Sequence, residues 1–172
     1  MSPCHGASAS SQSVLDATRQ DAHSHCLLCG DDNVQGLGLS FRVLPDGSVR
    51  ATFAGSAQHE SYPDTLHGGL IAALLDSAMT NCLFARGIVA VTARLSVRYL
   101  QPGRLGTPLE VVATLVRSSR SLHYLCGDVQ QSGGVVATAT ATFKDRTRGP
   151  SLAAGVVATE WASESRGPAR AL

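Results

Sequence analysis

The sequence predicts a single α+β domain in which an antiparallel β-sheet wraps around one buried helix. Three observations support this prediction. The 172 residues are 44% hydrophobic and 16% charged, a composition typical of one globular domain. Residues 69–84 are rich in helix formers and apolar on almost every side, as expected of a helix enclosed by a core. On both sides of this segment, apolar and polar residues alternate, which indicates strands with one buried face.

The segments before the helix predict a β-hairpin. Apolar residues alternate with small or polar ones over residues 37–43 and again over 49–53. Pro45-Asp46-Gly47 lies between the two segments and has the residue types of a tight turn.

The segments after the helix predict four more strands. Gly87 ends the helix, and residues 91–99 then alternate, with Thr92, Arg94, Ser96 and Arg98 on the face predicted to meet solvent. Residues 109–117 and 122–129 are the next two strands, and Gly133-Gly134 turns the chain into residues 135–143. The element order is ββαββββ. Elements in this order can pack together if the sheet curls around the helix.

The two ends of the chain predict tails around one domain. Residues 1–25 and 146–172 are rich in small residues without sustained periodicity, so we expect mobile tails on either side of a domain at 26–145. Residues 1–25 lack the features of a secretory or transit signal, and no segment is apolar for long enough to cross a membrane. Five cysteines without an export signal favour reduced thiols, which predicts a cytoplasmic protein. The single lysine among 14 basic residues is interpreted as a bacterial coding bias.

The overall charge does not attract polyanions. A net charge of +1 and a pI near 7.7 give no general attraction for nucleic acid or for an anionic membrane. An anionic ligand must therefore be bound by local arginines, because guanidinium groups bind phosphate well. Arg94 and Arg98 are the candidates on the wet face of the predicted strand, although exposed arginines are most often only solvated.

The helix start, His67-Gly68-Gly69, is the first candidate element of an active site. Glycines allow a ligand to approach the backbone, and the first amides of a helix carry unpaired N–H groups at the positive end of the dipole. Such a terminus can stabilise an oxyanion. The alternative is that the glycines only ease the turn into the helix.

Asp76 is the second candidate element, since it lies two turns into this apolar helix. A carboxylate in such surroundings is costly unless it is paired, hydrogen-bonded or used in chemistry. Thr80 follows on the same face, where its hydroxyl is able to hold a water or the carboxylate. We expect Asp76 and the helix start to act on one ester carbon, which predicts acyl-group hydrolysis. The sequence contains no GxSxG, P-loop or GxGxxG motif.

These residues resemble a known family. His67-Gly68-Gly69-Leu70, the aspartate nine residues after the histidine, Thr92, and residues 97–102 resemble the phenylacetate-pathway type of hotdog-fold acyl-CoA thioesterase. Cys26-Leu27-Leu28-Cys29-Gly30 resembles the opening of one subgroup of that family. The resemblance covers about residues 26–144.

The resemblance implies a hotdog fold, an acyl-CoA substrate, no cofactor, and a homodimer with two active sites at its interface, which in this family often pairs into a homotetramer. Asp76 matches the nucleophile or general base, and the Gly68 amide, helped by Gly69, matches the group that polarises the thioester carbonyl. His67 matches the residue that shapes this turn. Thr92 matches a position that orients the attacking water from the partner subunit, and Thr80 matches a threonine of related hydroxybenzoyl-CoA thioesterases.

The sequence departs from the family pattern in one place. Ser61 stands where many relatives have an asparagine that assists carbonyl polarisation. His59 and Tyr62 lie in the same loop and are possible substitutes, so we add His59 and Ser61 to the candidate substrate-binding residues.

Several alternatives stay open. The acyl group can be aliphatic or aromatic, and coenzyme A or a carrier protein can present it. A non-catalytic acyl-CoA-binding module and a dehydratase acting on a carrier-bound thioester are the other candidate functions. Cys26 and Cys29, with His23 and His25 before them, have zinc-ligand chemistry, but the second ligand pair of a structural zinc site is missing. The sequence therefore favours small buried thiols and no metal.

Overall fold

The computed structural model describes residues 6–146 of the chain, and side chains from residue 11 onward. Two helices, α1 (Gly6–His23) and α2 (Gly68–Phe84), and a short 3-10 helix (Ala57–His59) accompany six strands. The strands are β1 (Arg42–Val43), β2 (Val49–Ala54), β3 (Ala90–Tyr99), β4 (Pro108–Ser119), β5 (Leu122–Gln131) and β6 (Gly134–Asp145). They form one antiparallel sheet in the order β1-β2-β4-β5-β6-β3.

The sheet packs around α2, as the sequence predicts. This helix contacts β2, β3, β4, β5 and β6, and Leu74, Leu75, Ala78 and Met79 on it are fully buried. Burying each of the two leucines and the methionine contributes on the order of 2 kcal/mol. Gly87, at φ 67°, follows the end of the helix, and this left-handed conformation is one that glycine adopts without strain.

The predicted hairpin is present but its first strand is short. β1 has two residues, paired with the start of β2, and Gly47 has φ 81° in the turn between them. The side chain of Gln12 binds the backbone along β1. Gln12 Nε2 donates to Phe41 O at 3.1 Å, and Gln12 Oε1 accepts from Val43 N–H at 2.8 Å.

Residues 6–23 were predicted to belong to a mobile tail, but they form α1. Leu15 on this helix is 0% exposed and belongs to the core. Arg19 donates to Cys29 O at 2.7 Å and pairs with Asp31 at 2.8 Å. Apolar periodicity along α1 is weak because few of its residues reach the core, so the sequence pattern does not reveal the helix.

The C-terminal tail, predicted over 146–172, lies outside the described residues except for Arg146. Within the described part of the chain, neither helix is both long and apolar enough to span a membrane.

Candidate active site

The start of α2 presents one free backbone amide. His67 is the N-cap, and its Nδ1 accepts a hydrogen bond from Gly69 N–H at 2.9 Å. A Cβ at Gly69 would lie 3.0 Å from two atoms of the His67 ring, so glycine at this position accommodates the cap. Among the described residues, no hydrogen-bond acceptor is found for Gly68 N–H. This amide is therefore available to a ligand, with the positive end of the helix dipole behind it.

A cavity of about 400 Å³ adjoins this amide. The loop before α2 and the end of β3 line it, through Ser61, Tyr62, Thr65, Leu66, Gly68, Ile71, Tyr99, Leu100, Gln101, Pro102 and Gly103. The Tyr99 hydroxyl donates to Gly68 O at 2.8 Å and so fixes the helix start against β3. Tyr99 was not among the predicted site residues, although its place at the end of an alternating strand could have indicated it.

Asp76 is half-buried on α2 and is bonded to β3. Thr92 Oγ1 donates to Asp76 Oδ1 at 2.7 Å. Both residues belong to one chain, whereas the family resemblance implies a threonine or serine contributed by the partner subunit. A carboxylate held by one hydroxyl at a half-buried position keeps an oxygen for a water or for a carbonyl carbon.

A β-bulge explains why Thr92 reaches Asp76. The pairing of β3 with β6 shifts between Thr92 and Arg94, and the extra residue turns Thr92 towards α2. The sequence prediction that Thr92 shares the outer face with Arg94, Ser96 and Arg98 is therefore wrong, because strict alternation does not hold across a bulge.

His23, at the end of α1, also lies near this carboxylate. Burial lowers the pKa of His23, while the charge of Asp76 opposes that shift and the charge of Arg146 adds to it. Thr80, predicted to share the polar face of the helix, is only 7% exposed. Within the described part of the chain, no hydrogen bond joins the Thr80 side chain to Asp76.

The two candidate elements are well separated within one chain. An α-helix rises about 1.5 Å per residue, so the eight residues between Gly68 and Asp76 span roughly 12 Å. The two groups of a single chain therefore cannot act on the same ester carbon, contrary to the expectation from the sequence. The cavity beside Gly68 accordingly does not include Asp76 among its lining residues.

The loop residues predicted to assist binding have different environments. His59 Nδ1 accepts from Ser56 N–H at 3.0 Å, and its ring meets that of Phe53 edge-on at 5.2 Å. These contacts hold the 3-10 helix in place. Ser61 is exposed at the cavity, where its hydroxyl donates to Thr65 O at 3.3 Å.

Arg94 and Arg98 lie on the outer face of the sheet. They alternate on β3 with Leu95, Val97 and Tyr99, which face α2, and each arginine lines a groove of about 370 to 380 Å³. The guanidinium groups are therefore on the opposite side of β3 from Asp76.

Comparison with known proteins supports the fold. The family model described as "Thioesterase superfamily" matches residues 64–143. A phenylacetic acid degradation protein PaaI from Thermus thermophilus, solved as a variant, is 31% identical, and the alignment covers 63% of this chain and 94% of that one with a TM-score of 0.58. The chain therefore belongs to the thioesterase superfamily, and the predicted hotdog fold is confirmed.

Two further relatives carry information on ligands and activity. Acyl-coenzyme A thioesterase 13 of Mus musculus is 31% identical over 74 residues, which cover 42% of this chain and 53% of that protein. The chain thus spans about half the length of this curated relative. A Streptococcus mutans UA159 protein solved with bound acetyl CoA is 27% identical, with 62% of this chain and 87% of that one aligned and a TM-score of 0.58.

Proposed function

We propose that the protein is an acyl-CoA thioesterase, which hydrolyses an acyl- or aryl-CoA thioester to the free acid and CoA. The observation that carries this proposal is the hydrogen bond between Thr92 and Asp76 at 2.7 Å. It leaves an oriented carboxylate on the same helix that begins with the free amide of Gly68. The acetyl CoA in one similar structure and the acyl-CoA thioesterase activity named for a curated relative support the same substrate class.

In this reaction, the thioester carbonyl oxygen accepts a hydrogen bond from Gly68 N–H. The helix dipole then stabilises the negative charge that develops on the oxygen. Asp76 takes a proton from a water molecule, whose oxygen attacks the carbonyl carbon. The carbon–sulfur bond breaks, and the CoA sulfur leaves with a proton from the carboxyl group. Direct attack by Asp76, through an anhydride that water then opens, is the alternative.

The separation of the two groups requires a second copy of the chain. β3 is an edge strand of the sheet, and Val91 and Tyr99 on it are 54% and 50% exposed. Exposed apolar edge strands readily pair with another strand. A two-fold dimer formed by antiparallel pairing of β3 with its counterpart would complete the sheet across both copies.

Two hydrogen bonds support one register for that pairing. Thr92 holds Asp76, and Tyr99 holds the carbonyl of Gly68. If Thr92 of one copy lies opposite Tyr99 of the other, Asp76 of the first copy approaches the Gly68 amide of the second. Each dimer then has two sites. A homotetramer made of two such dimers, and a cytoplasmic location, stay predictions from the sequence.

The remaining candidate residues have roles at a distance from the ester. Because Arg94 and Arg98 lie on the outer face of β3, we assign them to the phosphates of CoA rather than to the acyl group. Ser61 lines the cavity that would hold the acyl end. His67 and Gly69 act by forming the cap that leaves the neighbouring amide free.

The proposal is tested by free-thiol release from a panel of aliphatic and aromatic CoA thioesters. We expect turnover by the wild type and a fall in kcat of roughly 10²- to 10⁴-fold in Asp76→Ala, since the base or nucleophile is removed. Asp21→Ala, which removes an exposed carboxylate on α1, is the matched control and should retain turnover. Equal rates in wild type and Asp76→Ala would refute the assignment. Tight binding of CoA esters without turnover would indicate the non-catalytic module instead.

A further inference from the structure

A cluster of three metal-ligand side chains lies between α1 and α2, away from the helix start. His23 ends α1, and Cys26 and Cys29 follow in the next loop. The ligand atoms of the three residues all lie within 4.8 Å of one another. In the sequence the two cysteines lack a second ligand pair, and the fold of α1 that brings His23 to them is not visible there.

The loop that carries the cysteines is rigidly built. Cys26 N–H donates to His23 O at 2.9 Å, and Gly30 N–H donates to Cys26 O at 3.0 Å. A Cβ at Gly30 would lie only 2.3 Å from Cys26 N, so the turn accepts glycine alone. The His23 ring packs edge-on against Phe84 of α2 at 5.0 Å. These contacts hold the loop backbone and the His23 ring in place.

Both sulfur atoms receive N–H donors. Leu28 N–H donates to Cys26 Sγ at 3.4 Å, and Asn81 Nδ2 donates to Cys29 Sγ at 3.5 Å. Asn81 is 0% exposed and Cys29 is 1% exposed. Donors aimed at sulfur stabilise a thiolate, and they are a usual feature around metal-bound cysteines.

Several polar atoms around the cluster lack partners. Among the described residues, His23 Nδ1, Asn81 Oδ1 and Ser77 Oγ are buried without a hydrogen bond. Ser77 is only 7% exposed. Buried polar atoms are normally satisfied. The unpartnered nitrogen of His23, with two more unpartnered atoms close to the cysteines, therefore indicates that something else binds there.

We propose that His23, Cys26 and Cys29 bind a divalent transition-metal ion, with Zn²⁺ as the expected metal. One imidazole and two sulfur ligands suit Zn²⁺ and exclude Mg²⁺ and Ca²⁺, which require oxygen ligands. In tetrahedral zinc sites the ligand atoms are roughly 3.4 to 3.8 Å apart, given metal–ligand distances of about 2.0 to 2.3 Å. The cluster therefore needs only a small contraction. Both thiols release their protons on binding, and a water molecule completes the tetrahedron.

The ion would tie the end of α1 and the cysteine loop to α2. Bound in this way, the ion would secure α1 against the core. The proposal does not depend on thioesterase activity, and its test does not measure that activity.

The test uses the full chain, purified under a non-thiol reductant, stripped with a chelator and titrated with Co²⁺. We expect one ion per chain, with thiolate-to-cobalt charge-transfer bands and the intense visible bands of tetrahedral cobalt, which Zn²⁺ then removes. His23→Asn and Cys26→Ser should each weaken Co²⁺ binding by at least tenfold. Cys126→Ser, which changes a cysteine on β5, is the control and should bind Co²⁺ like the wild type.

Three results would overturn the proposal. They are a folded wild-type chain without the cobalt bands, equal bands in wild type and His23→Asn, and loss of the bands in Cys126→Ser. Circular dichroism shows whether Cys26→Ser is folded. If it is not, the comparison of wild type with His23→Asn decides the test, because asparagine fills similar space without the imidazole ligand.

Discussion

Gly68 and Gly69 differ in what a side chain at each position would meet. A Cβ at Gly69 would lie 3.0 Å from the ring of His67, whereas a Cβ at Gly68 would meet only Tyr99, at 3.6 Å or more. The first glycine of the pair is therefore not required by packing within the chain. Gly68 instead lines the adjoining cavity.

The proposed mechanism depends on the backbone N–H group of Gly68, and a proline at this position removes that group. Gly68 is the first residue of α2 and His67 before it is extended, with ψ 128°, so proline is compatible with the helix. We expect Gly68→Pro to lower kcat by about 10²- to 10³-fold, the usual loss for one oxyanion donor. Steady-state thiol release by the folded variant measures this effect.

Gly68→Ala is the matched comparison, because it adds bulk but keeps the N–H group. Its loss of kcat should be clearly smaller than that of Gly68→Pro. If the two variants lose the same activity, the glycine serves only to leave space, and the amide is not the group that polarises the carbonyl.

Some residues of the candidate site could be predicted from the sequence, and others could not. Asp76 and the helix-start glycines could be predicted because a carboxylate in an apolar helix and a glycine pair at its start are local signals. The contact of Thr92 with Asp76 depends on the bulge in β3, and period-two alternation predicted the opposite face. Tyr99 was missed because its role is a contact with a residue far away in the sequence.

At the scale of the elements, strong periodicity predicted α2 and the four following strands to within a few residues. Periodicity along α1 is weak, and the sequence therefore predicted a tail in its place. Its attachment depends on a few specific contacts, namely Leu15 in the core and the hydrogen bonds of Gln12 and Arg19. Such contacts carry no pattern along the chain.

α1 is expected to be part of the folding unit. Leu15→Ala removes a side chain that is 0% exposed and should lower the free energy of unfolding by about 2 to 5 kcal/mol. Urea denaturation followed by circular dichroism measures the change. Val14→Ala alters a neighbouring residue of the same helix that is 40% exposed and should cost much less. Equal stabilities of wild type and Leu15→Ala would mean that α1 does not contribute to the core.

For the whole molecule, the spacing along α2 determines how the site must be assembled. The helix start and Asp76 are too far apart to share a substrate within one chain. The edge of the sheet at β3 is exposed and is therefore available to pair with a second copy. One chain therefore contributes the amide, and its partner contributes the carboxylate.

Hybrid dimers carrying two different affinity tags test this claim most directly. A hybrid of Asp76→Ala with Gly68→Pro retains one intact site if the site is shared, and should have roughly half the wild-type activity per dimer. A hybrid of wild type with the double variant then has no intact site and should be inactive. The opposite result, an inactive first hybrid and a half-active second one, would mean that both groups of a site lie in one chain.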